Sequence, residues 1–547
     1  MNIYLIGMLI TMVLFIVIGL IVSRKIKNAE DFYVAGRQAP VLLIAGSLIA
    51  SYMGTGLFMG DAATSYKGAL GPMTIIACMM GAGSVFGAVF FGRQLRRSRT
   101  FTIPEFFGMR FASEPMRMLS AVVSIVTMTV YLLSVVQGLG TLMTTVTGVD
   151  YNICVIASAV VFTFISVSSG SKGVLITDTM MAALFTLSLI VGIGFIAKGT
   201  GGYFESIRGL ASDPLTSAFL SWTGKPGVLG ATVNTTFDVI LWGVVYGVVW
   251  GAVGMISPWQ ASRYQMARSE HVIIKSSFIA AFGLFALDFF AMIGALLVQR
   301  VYPDMADPSR VMIWASMNLM PKIIGVVLLT GILSAGISSA TTFQSLIGAS
   351  IANDVMRKVR IGHPEKIRGK QEVDRRNIRI GQAAMIIAAV IVVLISITNP
   401  PALFIFMFMG GSMIAGTWMP VAIASVFSKR VTKAGAFCGM LAGFLGTFVY
   451  KVVTYFAGWD PPVYLDSALV GIACNVIFMV IGSAFTKVTE EERKAREMIL
   501  TLPESERDPK ERKKTLRFMK AGCFLGLAVF AVLLIFWLVP YLQAKAG

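Results

Sequence analysis

The chain has 547 residues, of which 56% are hydrophobic and only 14% charged, too little polar surface for a water-soluble protein of this length. Its net charge of +18 raises nucleic acid as a partner, but the placement of the basic residues excludes it. Apolar runs of about 20 residues recur along the whole chain, the length that crosses a bilayer core as a helix, so the composition describes an all-α polytopic membrane protein rather than a barrel.

Fourteen spans are expected, near residues 3–23, 40–62, 70–92, 117–144, 151–169, 173–197, 234–256, 273–298, 322–352, 379–398, 401–427, 434–456, 466–486 and 519–543. The first is too long for a signal-peptide core and lacks a small-residue cleavage site, so it is expected to stay as a span. If the loops after the odd-numbered spans are cytoplasmic, they hold 37 of the 46 Lys and Arg residues. That asymmetry fixes the orientation and puts both termini outside. The mixed-charge stretch 487–518 reads as a cytoplasmic linker. Cys78, Cys154, Cys438, Cys474 and Cys523 fall in apolar segments without metal-like spacing. His271 and His363 sit in or beside basic loops without a partner for zinc or nucleophile chemistry. No enzyme-like cluster stands out.

Polar groups at membrane depth each need a reason. In span 2, "LLIAGSLIASYMGTGLFMGDAA", Gly54, Gly56 and Gly60 interrupt the helix beside Tyr52 and Thr55. A helix broken at mid-membrane frees carbonyls, which is tolerated where they line a cavity or hold an ion. Span 7 carries Gly243, Gly247 and Gly251 and is expected to break in the same way, over 243–251. Close helix packing through small residues is the competing reading of both. Asp61 lies near the outer end of span 2, Asp178 inside the cytoplasmic end of span 6, Asp238 at the outer start of span 7, and Asp288 within span 8. The last striking run is "GILSAGISSATTFQSLIGAS" in span 9. Ser334, Ser338, Thr341 and Ser345 follow i, i+4, i+7, i+11 and share one helical face. Such hydroxyls either back-bond to the preceding turn or supply neutral oxygens to a cation.

Interrupted helices five spans apart point to two inverted repeats. The expected organisation is an extra helix and loop at 1–39, a first repeat at 40–200, an outside loop at 201–233, a second repeat at 234–428, and extra helices with the linker at 429–547.

"DFYVAGR" (31–37), "FTIPEFFGMRF" (101–111), "ITD" (176–178), "SPWQASRYQMARS" (257–269) and "SAGISSATTFQS" (334–345) together resemble motifs of the sodium:solute symporter family, in the right order over roughly residues 3–455. The resemblance implies a LeuT-like 5+5 inverted-repeat core with about fourteen transmembrane helices, embedded in the cell membrane, a bacterial inner membrane being expected. It implies symport of Na⁺ with a small solute. By motif, one sodium site takes the carbonyls of Ala50, Met53 and Ala335 with the hydroxyls of Ser338 and Ser339. A second sodium site takes Asp178, Ser338, Thr341 and Thr342, although Met181 stands where many members are polar. The implied solute pocket is lined by Thr55, Leu57, Tyr131, Gln137, Trp242, Tyr246 and Phe406. Leu57 replaces the glutamine of sugar-transporting members, and span 4 lacks the arginine that holds a carboxylate in sialic-acid members. A proton-driven transporter of the same fold and a sensory module are the alternatives.

Overall fold

The computed structural model describes residues 2–24, 26, 28–356, 370–398 and 403–546. His363 and most of the basic stretch after span 9 lie outside the described residues. Twelve described helices are long and apolar enough to cross a membrane, or thirteen when the bent pair Val41–Tyr52 and Gly56–Tyr66 is taken as one span. The expected fourteenth comes from Tyr151–Gly199, a 49-residue run far longer than one crossing. Gly170 divides it with φ 51° and ψ −163°, where an added Cβ would meet the ring and carbonyl of Phe32. Spans 5 and 6 are therefore 151–169 and 171–199.

Local chemistry sets the helix ends. Ser113 caps span 4 through the Met116 amide, with Pro115 in the first turn, and Gly148 closes the far end in the left-handed conformation. Thr235 and Asp238 form a capping box at the start of span 7. Asp238 is thus explained as a helix cap. Leu42, Ile387, Leu394, Leu527 and Leu542 are exposed, as lipid-facing residues must be.

Span 2 breaks where expected. Regular helix ends at Tyr52, Met53 departs with ψ 68°, and Gly56–Asp61 continues as a wide π turn, bending the span by 42°. Span 7 corrects the expectation. Thr236–Ile256 is an uninterrupted helix, and the break falls later, at Ser257 with ψ 146°, before Pro258–Met266. The span 7 glycines serve packing against span 3. Gly247 and Gly251 lie on Met79, Gly254 meets the Met80 carbonyl, and Gly83 faces Gly251. Small residues here let two backbones touch. A Cβ on Gly87 would sit 2.5 Å from the Met255 carbonyl oxygen and 2.7 Å from its Cα. Gly87→Val is expected to force spans 3 and 7 apart at a cost of about 1–3 kcal/mol. The check is a lowered unfolding temperature of the detergent-purified protein, and an unchanged temperature would contradict this packing.

Buried ion pairs gather at the ends of spans 3, 4, 8 and 9. Arg117 bonds Asp354 at 2.7 Å, Arg97 bonds Glu270 at 2.6 Å, and Arg37 donates to the carbonyls of Arg99 and Thr100. Burial lowers the pKa of the Arg37 guanidinium, and the Glu30 carboxylate beside it works in the opposite direction. The linker packs here too: Arg97 donates to the carbonyls of Ile499 and Leu500.

Candidate functional site

The site begins at the broken span 2. Where the helix stops, the Gly54 amide donates to the Tyr52 carbonyl at 2.9 Å instead of to Ala50. The Ala50 carbonyl thereby loses the partner that a continuing helix would give it. Span 9 packs directly on this break: the Ser339 hydroxyl lies 2.8 Å from where a Gly54 Cβ would stand. Ser339 is 2% exposed, and its hydroxyl has no hydrogen-bond partner among the described residues. An unpartnered buried hydroxyl costs about 1–3 kcal/mol, so the position favours a ligand. Ser338 donates to Asp178 at 2.6 Å and keeps lone pairs free. Ala335 lies one turn before Ser339 on the same face. The break and the hydroxyl face of span 9 are brought together.

The hydroxyls divide. Ser334 back-bonds to Thr330 at 2.6 Å and Thr341 to Ser338 at 2.8 Å, the ordinary role of such groups in membrane helices. Asp178 and Thr342 have a different partner. The Arg263 guanidinium, from the short helix after the span 7 break, reaches Asp178 at 2.7 Å, Thr342 at 2.8 Å and Ser47 at 2.9 Å. Ser47 in turn donates to Asp178 at 2.6 Å. All of this is buried, Asp178 fully and Arg263 to 2% exposure. Asp178 therefore accepts from Ser47, Ser338 and Arg263. Sequence reasoning passed over Arg263, although it stood in a quoted motif. A signal existed: an arginine entering the membrane and a membrane aspartate each lack a counter-ion in their own span, and buried charges must pair.

A narrow cavity adjoins the break. Of the expected liners, Leu57 and Tyr131 reach it. Thr55 turns its hydroxyl toward the Val135 carbonyl, at 3.5 Å. Gln137 is buried away from the cavity, its amide nitrogen without a partner among the described residues. Outside it Trp242 stacks on Phe408 and Tyr246 meets the same ring edge-on, and the Tyr246 hydroxyl donates to Asp466 at 2.9 Å. Phe406 lies outside it as well. The walls that sequence reasoning missed are Tyr52, Trp250, Trp259, Phe343, Met407 and Asp61. Trp250 follows Trp242 and Tyr246 at helical spacing, and Trp259 precedes the Gln260 of the loop motif.

An all-helical membrane protein with a broken span facing a hydroxyl-rich span fits the build of a LeuT-like transporter core. The overall backbone is similar to a substrate-bound outward-open state of a Na⁺-coupled sialic acid symporter, with a TM-score of 0.71, 16% identity, and coverage of 89% of this chain and 99% of that one. The sodium:solute symporter family model matches residues 32–443, and the chain belongs to that family. It is 24% identical to a sodium/proline symporter of Salmonella typhimurium over 503 residues, covering 87% of this chain and 92% of the relative. It is also 22% identical to a sodium/proline symporter of Staphylococcus aureus, covering 84% and 88%. The protein is a sodium-coupled symporter of a small solute in a membrane.

Proposed function

We propose that the protein imports a small organic solute by alternating access, driven by one Na⁺ held by the carbonyls of Ala50, Met53 and Ala335 and the hydroxyls of Ser338 and Ser339. The observation that carries this reading is the unpartnered Ser339 hydroxyl packed on Gly54, where the helix break frees the Ala50 carbonyl. A hard cation takes several such oxygens. The two repeats, 40–200 and 234–428, rock against each other about this point. In this reading both termini lie outside a bacterial inner membrane, an orientation that the basic excess of the loops after the odd-numbered spans supports.

The second set of oxygens, Asp178, Ser338, Thr341 and Thr342, works differently in this proposal. Arg263 is its resident cation, so a second Na⁺ enters only when the guanidinium withdraws. Relatives that move proline support an amino-acid-sized solute.

Uptake into proteoliposomes tests the coupling. A sodium gradient without a pH gradient is expected to drive accumulation; a response to the pH gradient alone would defeat the sodium reading in favour of protons. Ser339→Ala is expected to raise the sodium concentration for half-maximal uptake roughly tenfold, the equivalent of one lost oxygen ligand worth about 1.5 kcal/mol. An unchanged sodium dependence in that variant would remove Ser339 from the site.

A further inference from the structure

Two membrane carboxylates remain unexplained by the sodium site. Asp61 lines the cavity at the outer side of the span 2 break, one helical turn after Leu57 on the same face. Asp288 is 4% exposed on span 8, against which the segment from Gly56 to Tyr66 packs. Neither forms an ion pair among the described residues, and Asp288 Oδ1 is buried without a hydrogen-bond partner. Two such carboxylates on packed elements repel each other and lack compensation in a low-dielectric site.

Apart from Asp61, the cavity wall carries no formal charge. Its fourteen lining residues include one carboxylate and no Lys, Arg or His. Tyr131, Trp259 and Phe343 form a triangle with ring centroids 4.9–5.2 Å apart, and Tyr52 meets Trp250 at 5.6 Å. Aromatic faces carry negative potential and attract cations, above all alkylated ammonium groups. The hydroxyls of Ser51 and Ser134 add oxygen lone pairs. An anionic solute finds no partner on these walls, whereas an ammonium group, admitted as the narrow cavity widens, would meet a counter-ion and aromatic faces.

Resting on the symport reading above, we propose that the solute carries an ammonium group, with Asp61 as its counter-ion and Tyr52, Tyr131, Trp250, Trp259 and Phe343 as the cage around it. Asp61 then sets specificity. Sodium stays with the span 9 hydroxyls, and Asp288 adds negative potential behind Asp61.

The test is a thermal-shift series on the purified full chain, with and without Na⁺. The probes are choline as a net cation, glycine betaine and proline as zwitterions, lactate as an anion and glucose as a neutral compound. At least one ammonium compound is expected to stabilise the protein in Na⁺. Asp61→Asn is expected to weaken its binding roughly tenfold or more, the usual loss when a charged hydrogen-bond partner is neutralised. Stabilisation by Na⁺ alone should be unchanged in Asp61→Asn, which shows that the variant is folded. Choline against betaine and proline separates a net cation from a zwitterion. Stabilisation by lactate or glucose alone, silence of all three ammonium compounds, or equal affinity in wild type and Asp61→Asn overturns the assignment. Ammonium binding that Asp61→Asn weakens but that does not depend on Na⁺ would uphold the cage and strike the sodium coupling instead.

Discussion

Arg263→Gln is expected to reduce sodium-driven uptake at least a hundredfold. In the protein Arg263 holds Asp178, Thr342 and Ser47 at 2.7, 2.8 and 2.9 Å in a fully buried setting. Removing one partner of a buried pair strands the other charge, a penalty of about 3–5 kcal/mol. Asp178 has two routes of relief. It takes up a proton, or it draws a cation into the oxygens that Arg263 vacated. Either changes the packing of spans 2, 6 and 9 around the proposed sodium site, because Ser338 bonds Asp178 and belongs to that site in the proposal. Asp178→Asn alone leaves Arg263 stranded and is expected to fail similarly. The double variant Asp178→Asn with Arg263→Gln removes both charges and should recover uptake to within about tenfold of wild type, since the loss in each single variant is chiefly that of the stranded partner. Uptake in proteoliposomes, normalised to reconstituted protein, measures all three. If the double variant is as poor as the singles, the pair is not acting as a charge-compensating unit. Wild-type activity in Arg263→Gln would show that the pair is dispensable.

Gly54→Val is expected to abolish sodium-dependent uptake while leaving membrane insertion intact. A Cβ at this position would stand 2.8 Å from the Ser339 hydroxyl oxygen and 3.3 Å from its Cβ. The hydroxyl can rotate, but the Cβ belongs to a buried helix and cannot. Two further methyl groups then occupy the space between the break and span 9, where the proposal puts the ion. Gly56 is different. Its added Cβ would meet the sulfur of Met407, the end of a flexible side chain that can yield. Gly56→Ala should therefore be the milder change, and Gly54→Ala intermediate with a raised sodium requirement. Sodium-dependent thermal stabilisation of the three variants gives the ranking directly. Equal sodium responses for Gly54→Val and wild type would mean that the break does not approach span 9 as closely as proposed.

Much of the architecture was legible in the sequence because membrane helices follow simple constraints. Length and apolarity placed the expected spans close to described helices, and the expected division between spans 5 and 6 falls at Gly170, whose backbone splits an overlong run. The break in span 2 was legible because three glycines coincide with polar neighbours. The same logic misled at span 7, where Gly247, Gly251 and Gly254 serve contact with span 3 and the chain departs from helix at Ser257 before a proline. A glycine pattern carries no mark that separates bending from close packing, since both need only the absence of a Cβ. A proline after a helix is the sharper signal. The partner of Asp178 was hidden for another reason: residues 178 and 263 lie 85 positions apart in the chain, and only the fold brings them together. The cavity walls were illegible in part because Trp242, Tyr246 and Trp250 share one stripe of span 7. Small rotations decide which of them lines the cavity.

The Asp178–Arg263 pair also bears on the electrical behaviour of the transporter. Its two charges cancel within 2.7 Å, so an empty carrier brings no net charge from this pair into the membrane field as it reorients. Membrane voltage then acts on the arriving sodium and on any charge the solute brings. For one Na⁺ with a zwitterion, each 100 mV supplies about 2.3 kcal/mol. That sustains roughly a fiftyfold solute gradient per 100 mV before the sodium gradient itself is counted. A cationic solute would add its own charge and square that factor. Steady-state currents under clamped voltage would therefore report the charge of the solute as well as the number of ions that accompany it.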